Sequence, residues 1–239
     1  MKKTLPLKIL PQPSETTCGP TCLHAVYRYY GERISLKRVI EEIPALEDGG
    51  TLAVMLGRHA LGRGYDAKIY TYNLHVFDPT WFLHSGMDMT RFLLAQKKAK
   101  RSKKLKMATD AYVDYLEHGG LLCFEDLTPQ LIRRYLERGI PILTGLSATY
   151  LYRSAREMPG SNEYNSIAGE PTGHFVVLAG YDRYVRNLLV ADPFNLNPFA
   201  GNNYYWCDVR RVVSSILLGI VSYDANLLVI EPRSPRRRT

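Results

Sequence analysis

The chain predicts an α+β fold, with helices from its N-terminal half packed on a mainly antiparallel sheet from its C-terminal half. Three observations point there. Apolar residues first recur at helical spacing, in three stretches that precede any strand-like run. Short runs rich in Val, Ile and Leu, bounded by turn residues, then dominate the second half. Two of these, Gly173–Asp182 and Leu188–Pro193, are joined by a polar turn and read as a hairpin.

The first helix opens at Cys18-Gly-Pro-Thr-Cys-Leu, where Pro20 suits the first helical position because its missing N–H is not needed there. Cys22, Leu23, Val26, Tyr27 and Tyr30 form one apolar stripe, and Gly31 ends the helix. Ser35 caps a second helix through Ile43, stopped by Pro44, and Thr51 caps a third through about Leu61. A strand follows from Tyr65 to Tyr72. Further on, Thr128-Pro129 starts a helix through Arg138, Ile140–Leu146 is a strand, and a turn-rich connection over residues 154–172 leads into the hairpin as a lid or an exposed loop. A helix near Asp208–Leu217 and a strand from Asn226 to Ile230 complete the order.

Residues 73–127 fit this scheme least well. Asn73–Phe82 is rich in aromatics and turns, a cationic run follows at Lys97, Lys98, Lys100, Arg101, Lys103, Lys104 and Lys106, and Ala108–His118 reads as an amphipathic helix. The segment is expected to be a helical, basic insertion beside the cleft of one domain spanning residues 1–232, with residues 233–239 a basic tail.

Composition narrows the class. The 239 residues are 46% hydrophobic, enough to fill a core, and no apolar run is long enough to span a membrane. The N-terminus is broken by Pro6, Lys8 and Pro11, so it reads as mature sequence rather than a signal peptide. Four cysteines give no disulfide framework, and Cys22, Cys123 and Cys207 are expected to pack in the core, which suits a reducing cytoplasm. Cys18 and Cys22 lack companions at metal-ligand spacing, so neither a metal nor a cofactor is expected.

The chemistry lies in four residues. Cys18 sits at a helix mouth, where unpaired N–H groups and the positive helix end favour a thiolate. A nucleophilic thiol needs a base, and that base needs an orienting group. Of six histidines, only His174, at the entrance of a buried strand, is set in a segment that would hold it rigidly. The hairpin brings Asp192, at the far end of the second strand, back level with it, where a carboxylate can accept the imidazole N–H. His75 and His84 read as structural or exposed. Gln12 stands six residues before Cys18.

The order Gln, Cys, His, Asp resembles the papain-like fold. Within it, Cys-Gly-Pro-Thr-Cys-Leu, the Tyr-Tyr-Gly helix end, Gly-His-Phe-Val-Val-Leu-x-Gly-Tyr-Asp and the later Ala-Asp-Pro are similar to the double-glycine-leader peptidases, family 39 of the cysteine peptidases. The resemblance implies that Cys18 is the nucleophile, His174 the general base and acid, Asp192 its orienter and Gln12 an oxyanion donor. Well-known members are fused to peptide-exporting ABC transporters. Nothing here resembles an ATPase, so the chain is more similar to the freestanding family-39-like proteins of bacteria.

The expected activity is hydrolysis of a peptide or amide bond through a thioester, with acyl transfer or a silent peptide-binding module as alternatives. The expected partner is a peptide or protein substrate. A net charge of +8 suggests an acidic one, while the absence of a nucleic-acid fold signature argues against DNA or RNA.

Overall fold

The computed structural model describes residues 2–46, 49–84, 86–161, 163–199 and 201–233. In chain order the elements are β1 (Lys2–Thr4), α1 (Cys18–Tyr29), α2 (Leu36–Glu42), α3 (Ala53–Gly62), β2 (Tyr65–Thr71), α4 (Met89–Ala99), α5 (Lys103–Glu117) and β3 (Leu121–Cys123). They continue with α6 (Pro129–Glu137), β4 (Ile142–Ser147), α7 (Ala148–Tyr152), β5 (Gly173–Asp182), β6 (Asn187–Ala191), β7 (Tyr204–Asp208), α8 (Val209–Leu218) and β8 (Asn226–Pro232). Short 3₁₀ turns cover Pro79–Phe82 and Gly219–Ser222. Of the basic tail, all but Arg233 lies outside the described residues.

The strands form one sheet in the order β3-β2-β8-β4-β5-β6-β7, antiparallel except where β2 meets β3. The mixed helical and antiparallel architecture is the expected α+β class. Within it, β5, which carries His174, is a central strand. β4 pairs along one side of it and β6 along the other, and two elements that were not foreseen extend this arrangement: β7 continues the sheet beyond β6, and β1 pairs with the far end of β5. Near-complete burial of Phe175–Tyr181 fits a strand covered on both faces.

Side chains of β5 alternate between two apolar layers. Phe175, Val177 and Ala179 join α1, α3 and α5 on one face, while Val176 and Leu178 join α6 and α8 on the other. A bulge between Leu178 and Gly180 reverses the alternation, so Tyr181 turns to the second layer. The apolar stripe of α1 (Cys22, Leu23, Val26 and Tyr27) is buried against the first layer, which fixes the start of that helix near the start of β5.

Helix ends follow local chemistry. Ser35 and Thr128 accept hydrogen bonds from the backbone N–H groups of Arg38 and Leu131, as N-caps should. Thr51 does not cap α3: the chain enters at Leu52, and the Thr51 hydroxyl donates instead to the Pro44 carbonyl at 3.4 Å. Pro20 lies in the first turn of α1 rather than at its first position, which costs nothing because the N–H groups of that whole turn lack helical partners. The lysine run falls mostly in helices, as expected of a helical insertion, with Lys100 and Arg101 in the short connection between them. Lys97 and Lys98 end α4, an unforeseen helix, and Lys103, Lys104 and Lys106 fall in the opening turns of α5, capped by Ser102.

Candidate active site

Cys18 is the first residue of α1 and is nearly buried. The turn before it is pinned by Thr17, whose hydroxyl donates to the Ser14 carbonyl at 2.8 Å and accepts from the Ser14 N–H at 3.1 Å. No side chain caps the helix, so the first-turn N–H groups around Cys18 stay open to a ligand.

His174 and Cys18 line the same concavity, and Cys18 is one of the groups that raise the imidazole pKa. The ring nitrogen Nε2 of His174 lies 2.8 Å from Asp192 Oδ1. The backbone register does not account for this contact, because Ala191 pairs with Val177 and the ladder ends short of His174. Asp192 has left the strand, donating its N–H to the Asn203 carbonyl at 2.8 Å, and its side chain closes the remaining distance.

Asp192 is fully buried and fully satisfied. Besides His174, the Phe194 N–H donates to Oδ1 at 2.9 Å, and the Tyr152 and Tyr205 hydroxyls each donate to Oδ2 at 2.7 Å. Burial raises its pKa, but His174 and the two tyrosines outweigh this and hold it below the ordinary carboxylate value. For His174, burial pushes the imidazole down, while the Asp192 carboxylate and Cys18 push it well above its ordinary value. The pair therefore favours imidazolium beside carboxylate. Tyr152 and Tyr205 were missed by sequence reasoning. Their only signal is a hydroxyl on a buried aromatic, a feature common to many core tyrosines.

Gln12 is tied to the Asp192 turn by its backbone N–H, which donates to the Pro193 carbonyl at 2.9 Å. Its amide Nε2 donates one proton to the Ser14 carbonyl at 3.0 Å, and its Oε1 is buried with no partner among the described residues.

Two concavities meet at His174. One, of about 350 Å³, is lined by Gln12, Tyr152, Glu157, Tyr164, Phe194 and His174; the other, of about 220 Å³, by Cys18, Thr51, Lys104, Gly173, His174 and Asp224, among others. Glu157, Tyr164 and Thr172 belong to the long connection before β5, which therefore borders the site. A larger cavity of about 670 Å³, rimmed by Arg153, Arg156, Arg210 and Arg211, contains none of the four candidates. Among the described residues, no group of three or more His, Cys, Asp or Glu side chains is placed to hold a metal ion, and no helix is long and apolar enough to cross a membrane. Cys22 donates its thiol to the Phe175 carbonyl at 3.2 Å and is a core residue. Cys207 is buried too, Cys123 only half so, and His84 is exposed.

No curated protein matches the chain. Among solved structures, a C39-like peptidase from Bacillus anthracis is similar at 13% identity, over 98% of this chain and 100% of that one, with a TM-score of 0.51. Xylellain, a cysteine protease from Xylella fastidiosa, is similar at 14% identity over 98% of this chain and 86% of that one, with a TM-score of 0.45. The peptidase domain of Streptococcus ComA, a bi-functional ABC transporter involved in quorum sensing, is similar at 13% identity over 95% and 99%, with a TM-score of 0.44. The Bacillus anthracis likeness bears on the fold alone. The family match spans residues 4–213 and so includes Gln12, Cys18, His174 and Asp192; the chain belongs to the Peptidase_C39 like family of cysteine peptidases.

Proposed function

We propose that the protein hydrolyses a peptide bond through a thioester on Cys18. The observation that carries this reading is the His174 Nε2–Asp192 Oδ1 contact at 2.8 Å beside a concavity that His174 shares with Cys18, the first residue of α1. In the proposed sequence, the Cys18 sulfur attacks the scissile carbonyl with its proton held by His174. The resulting oxyanion is received by the Cys18 backbone N–H and by the second amide proton of Gln12. His174 then protonates the leaving amine, and water, deprotonated by the same ring, releases the acid and restores the thiol. Asp192 keeps the ring in one orientation and stabilises the imidazolium, and Tyr152 and Tyr205 keep Asp192 from turning.

Peptide is the fitting substrate, since the two concavities on either side of His174 would seat residues before and after the scissile bond. A preference for acidic substrates rests on the overall charge; of the cationic run, only Lys104 lines either concavity. The test is mass spectrometry of the protein quenched in acid during turnover of a peptide substrate. An acyl group on the tryptic fragment holding Cys18 is expected, and turnover without it, or undiminished turnover in Cys18→Ala, would defeat the reading.

A further inference from the structure

A second buried carboxylate, besides Asp192, lies near His174. Asp224 precedes β8 and lines the 220 Å³ concavity with Cys18 and His174. It is 7% exposed. Among the described residues its carboxylate has one hydrogen-bond donor, the Ser222 hydroxyl at 2.8 Å from Oδ2. Lys104 is the cation at the mouth of the pocket, but its ammonium lies over the Tyr223 ring, 4.8 Å from the centroid. Among the described residues it makes no ion pair with Asp224.

The backbone is shaped around this carboxylate. Tyr223 and Ala225 on either side both have left-handed φ angles, 71° and 37°, a conformation that side-chain-bearing residues adopt at a cost. The strain is held by the Asn73 amide donating to the Tyr223 carbonyl at 3.1 Å and by the Asn226 amide donating to the Asp224 carbonyl at 2.5 Å. Two strand glycines make the room. A Cβ on Gly145 would lie 2.9 Å from Oδ1, and one on Gly173, next to His174, would collide with Oδ2. The fold thus clears space on β4 and β5 to seat an acid beside Cys18 and His174 while giving it few donors of its own, an arrangement suited to a ligand that brings them.

We propose that Asp224 is a specificity-determining residue whose carboxylate receives the cationic side chain of a lysine or arginine that the substrate carries close to the scissile bond. This rests on the reading of Cys18 as the nucleophile. At about 220 Å³ the pocket is smaller than the roughly 300–1,000 Å³ of whole-ligand sites, so it suits one side chain. An incoming ammonium or guanidinium supplies the donors that Asp224 lacks. The titratable groups facing the carboxylate are Lys104, His174 and Tyr112, with Glu15 lining the same pocket. Burial outweighs Ser222, Lys104 and His174 and lifts Asp224 to about 7, so a bound cation would find the carboxylate charged on the alkaline side of neutrality.

The test uses the full chain and short peptidyl chloromethyl ketones, in which the Cys18 sulfur displaces chloride and forms a thioether whether or not the enzyme turns over. Reagents that differ only in arginine, lysine or norleucine at the first or second residue before the ketone are compared by their second-order inactivation rates. At pH 8 a basic residue at one of these positions should speed alkylation about tenfold, the scale of one charge-assisted hydrogen bond. Asp224→Asn should bring that ratio close to one, and Lys104→Gln, which removes a competing cation, should raise it. Because the reading is a ratio, a general change in thiol reactivity cancels.

The ratio should also grow from pH 6 to pH 8 in the unmodified protein, which keeps the proposal testable if Asp224→Asn does not fold. A ratio near one in the unmodified protein, one that survives Asp224→Asn, or one that is flat with pH would overturn it. Should the ratio appear while no peptide is ever hydrolysed, the hydrolase reading falls and the subsite stands; hydrolysis with no ratio gives the reverse.

Discussion

Asp192 and Asp224 both lie near His174 and both are buried, yet their surroundings drive them in opposite directions. Asp192 receives the Nε2 of His174, one backbone N–H and two tyrosine hydroxyls; Asp224 receives one serine hydroxyl. Accordingly the first is held below the ordinary carboxylate value despite burial, and the second is pushed up to about 7 by it. The comparison teaches that burial alone does not set the charge of a carboxylate; the neighbouring charge and the donors that reach it decide. A saturated acid can serve only the ring it already holds. An unsaturated one has capacity left for a ligand.

The largest effects should come from around the saturated acid. His174→Ala should lower peptide turnover by roughly 10³-fold or more, because it removes the proton carrier itself, as a kcat measurement would show. Asp192→Asn should be milder, since an amide oxygen can still accept the imidazole N–H, and its signature is a shift in pH dependence. The raised His174 pKa keeps the imidazolium through neutrality, so activity should fall only as the pH rises toward about 10. Replacing the carboxylate leaves the downward pull of burial and should bring that alkaline limb down by roughly one pH unit or more. An unmoved limb would show that Asp192 does not set the charge of the ring. Gln12→Ala, with the fold intact by circular dichroism, should cost roughly 10²-fold in kcat, the scale of one oxyanion donor. An unchanged rate would make that glutamine structural.

The unsaturated acid predicts a stability effect of the opposite sign to that of Asp192. A carboxyl raised from 3.8 to about 7 binds a proton in the folded chain that the unfolded chain has already lost. Stability should therefore fall as the pH rises between those values and level off above them. Asp224→Asn should remove that slope, worth up to about 3 kcal/mol between denaturant melts at pH 5 and pH 8. Equal slopes in both proteins would mean that Asp224 is not perturbed. The smallest effect belongs to the exposed cations: Lys98, Lys103 and Lys106 changed together to Gln should move stability by less than about 1 kcal/mol, since they contribute nothing to either apolar layer.

What the sequence makes legible follows from how local each signal is. Cys18 at a helix mouth, the strand entered at His174 and the Ser35 and Thr128 caps are written in a few adjacent residues, and they sit where local chemistry places them. The Asp192 contact was foreseen for an incomplete reason. The ladder stops at Ala191, and only the tertiary packing of Tyr152, Tyr205 and Phe194 brings the carboxylate to the ring. Asp224 was not visible at all. It is an ordinary residue between two strand-like segments until Gly145, Gly173 and a pair of left-handed residues gather around it from three places in the chain. Likewise β7, five residues of which three in a row are aromatic, and α4, hidden behind a lysine run, lack the periodicity that marks longer elements.

On the proposed mechanism Cys18 is reactive because His174, charged and held by Asp192, stands beside it. The most direct test is the rate of iodoacetamide labelling at pH 6, followed fragment by fragment in the unmodified protein and in His174→Ala. Selective labelling of Cys18 over Cys22, Cys123 and Cys207, lost when His174 is replaced, is the result this account predicts; labelling of Cys18 that is no faster than the other three, or that persists unchanged without His174, would contradict it.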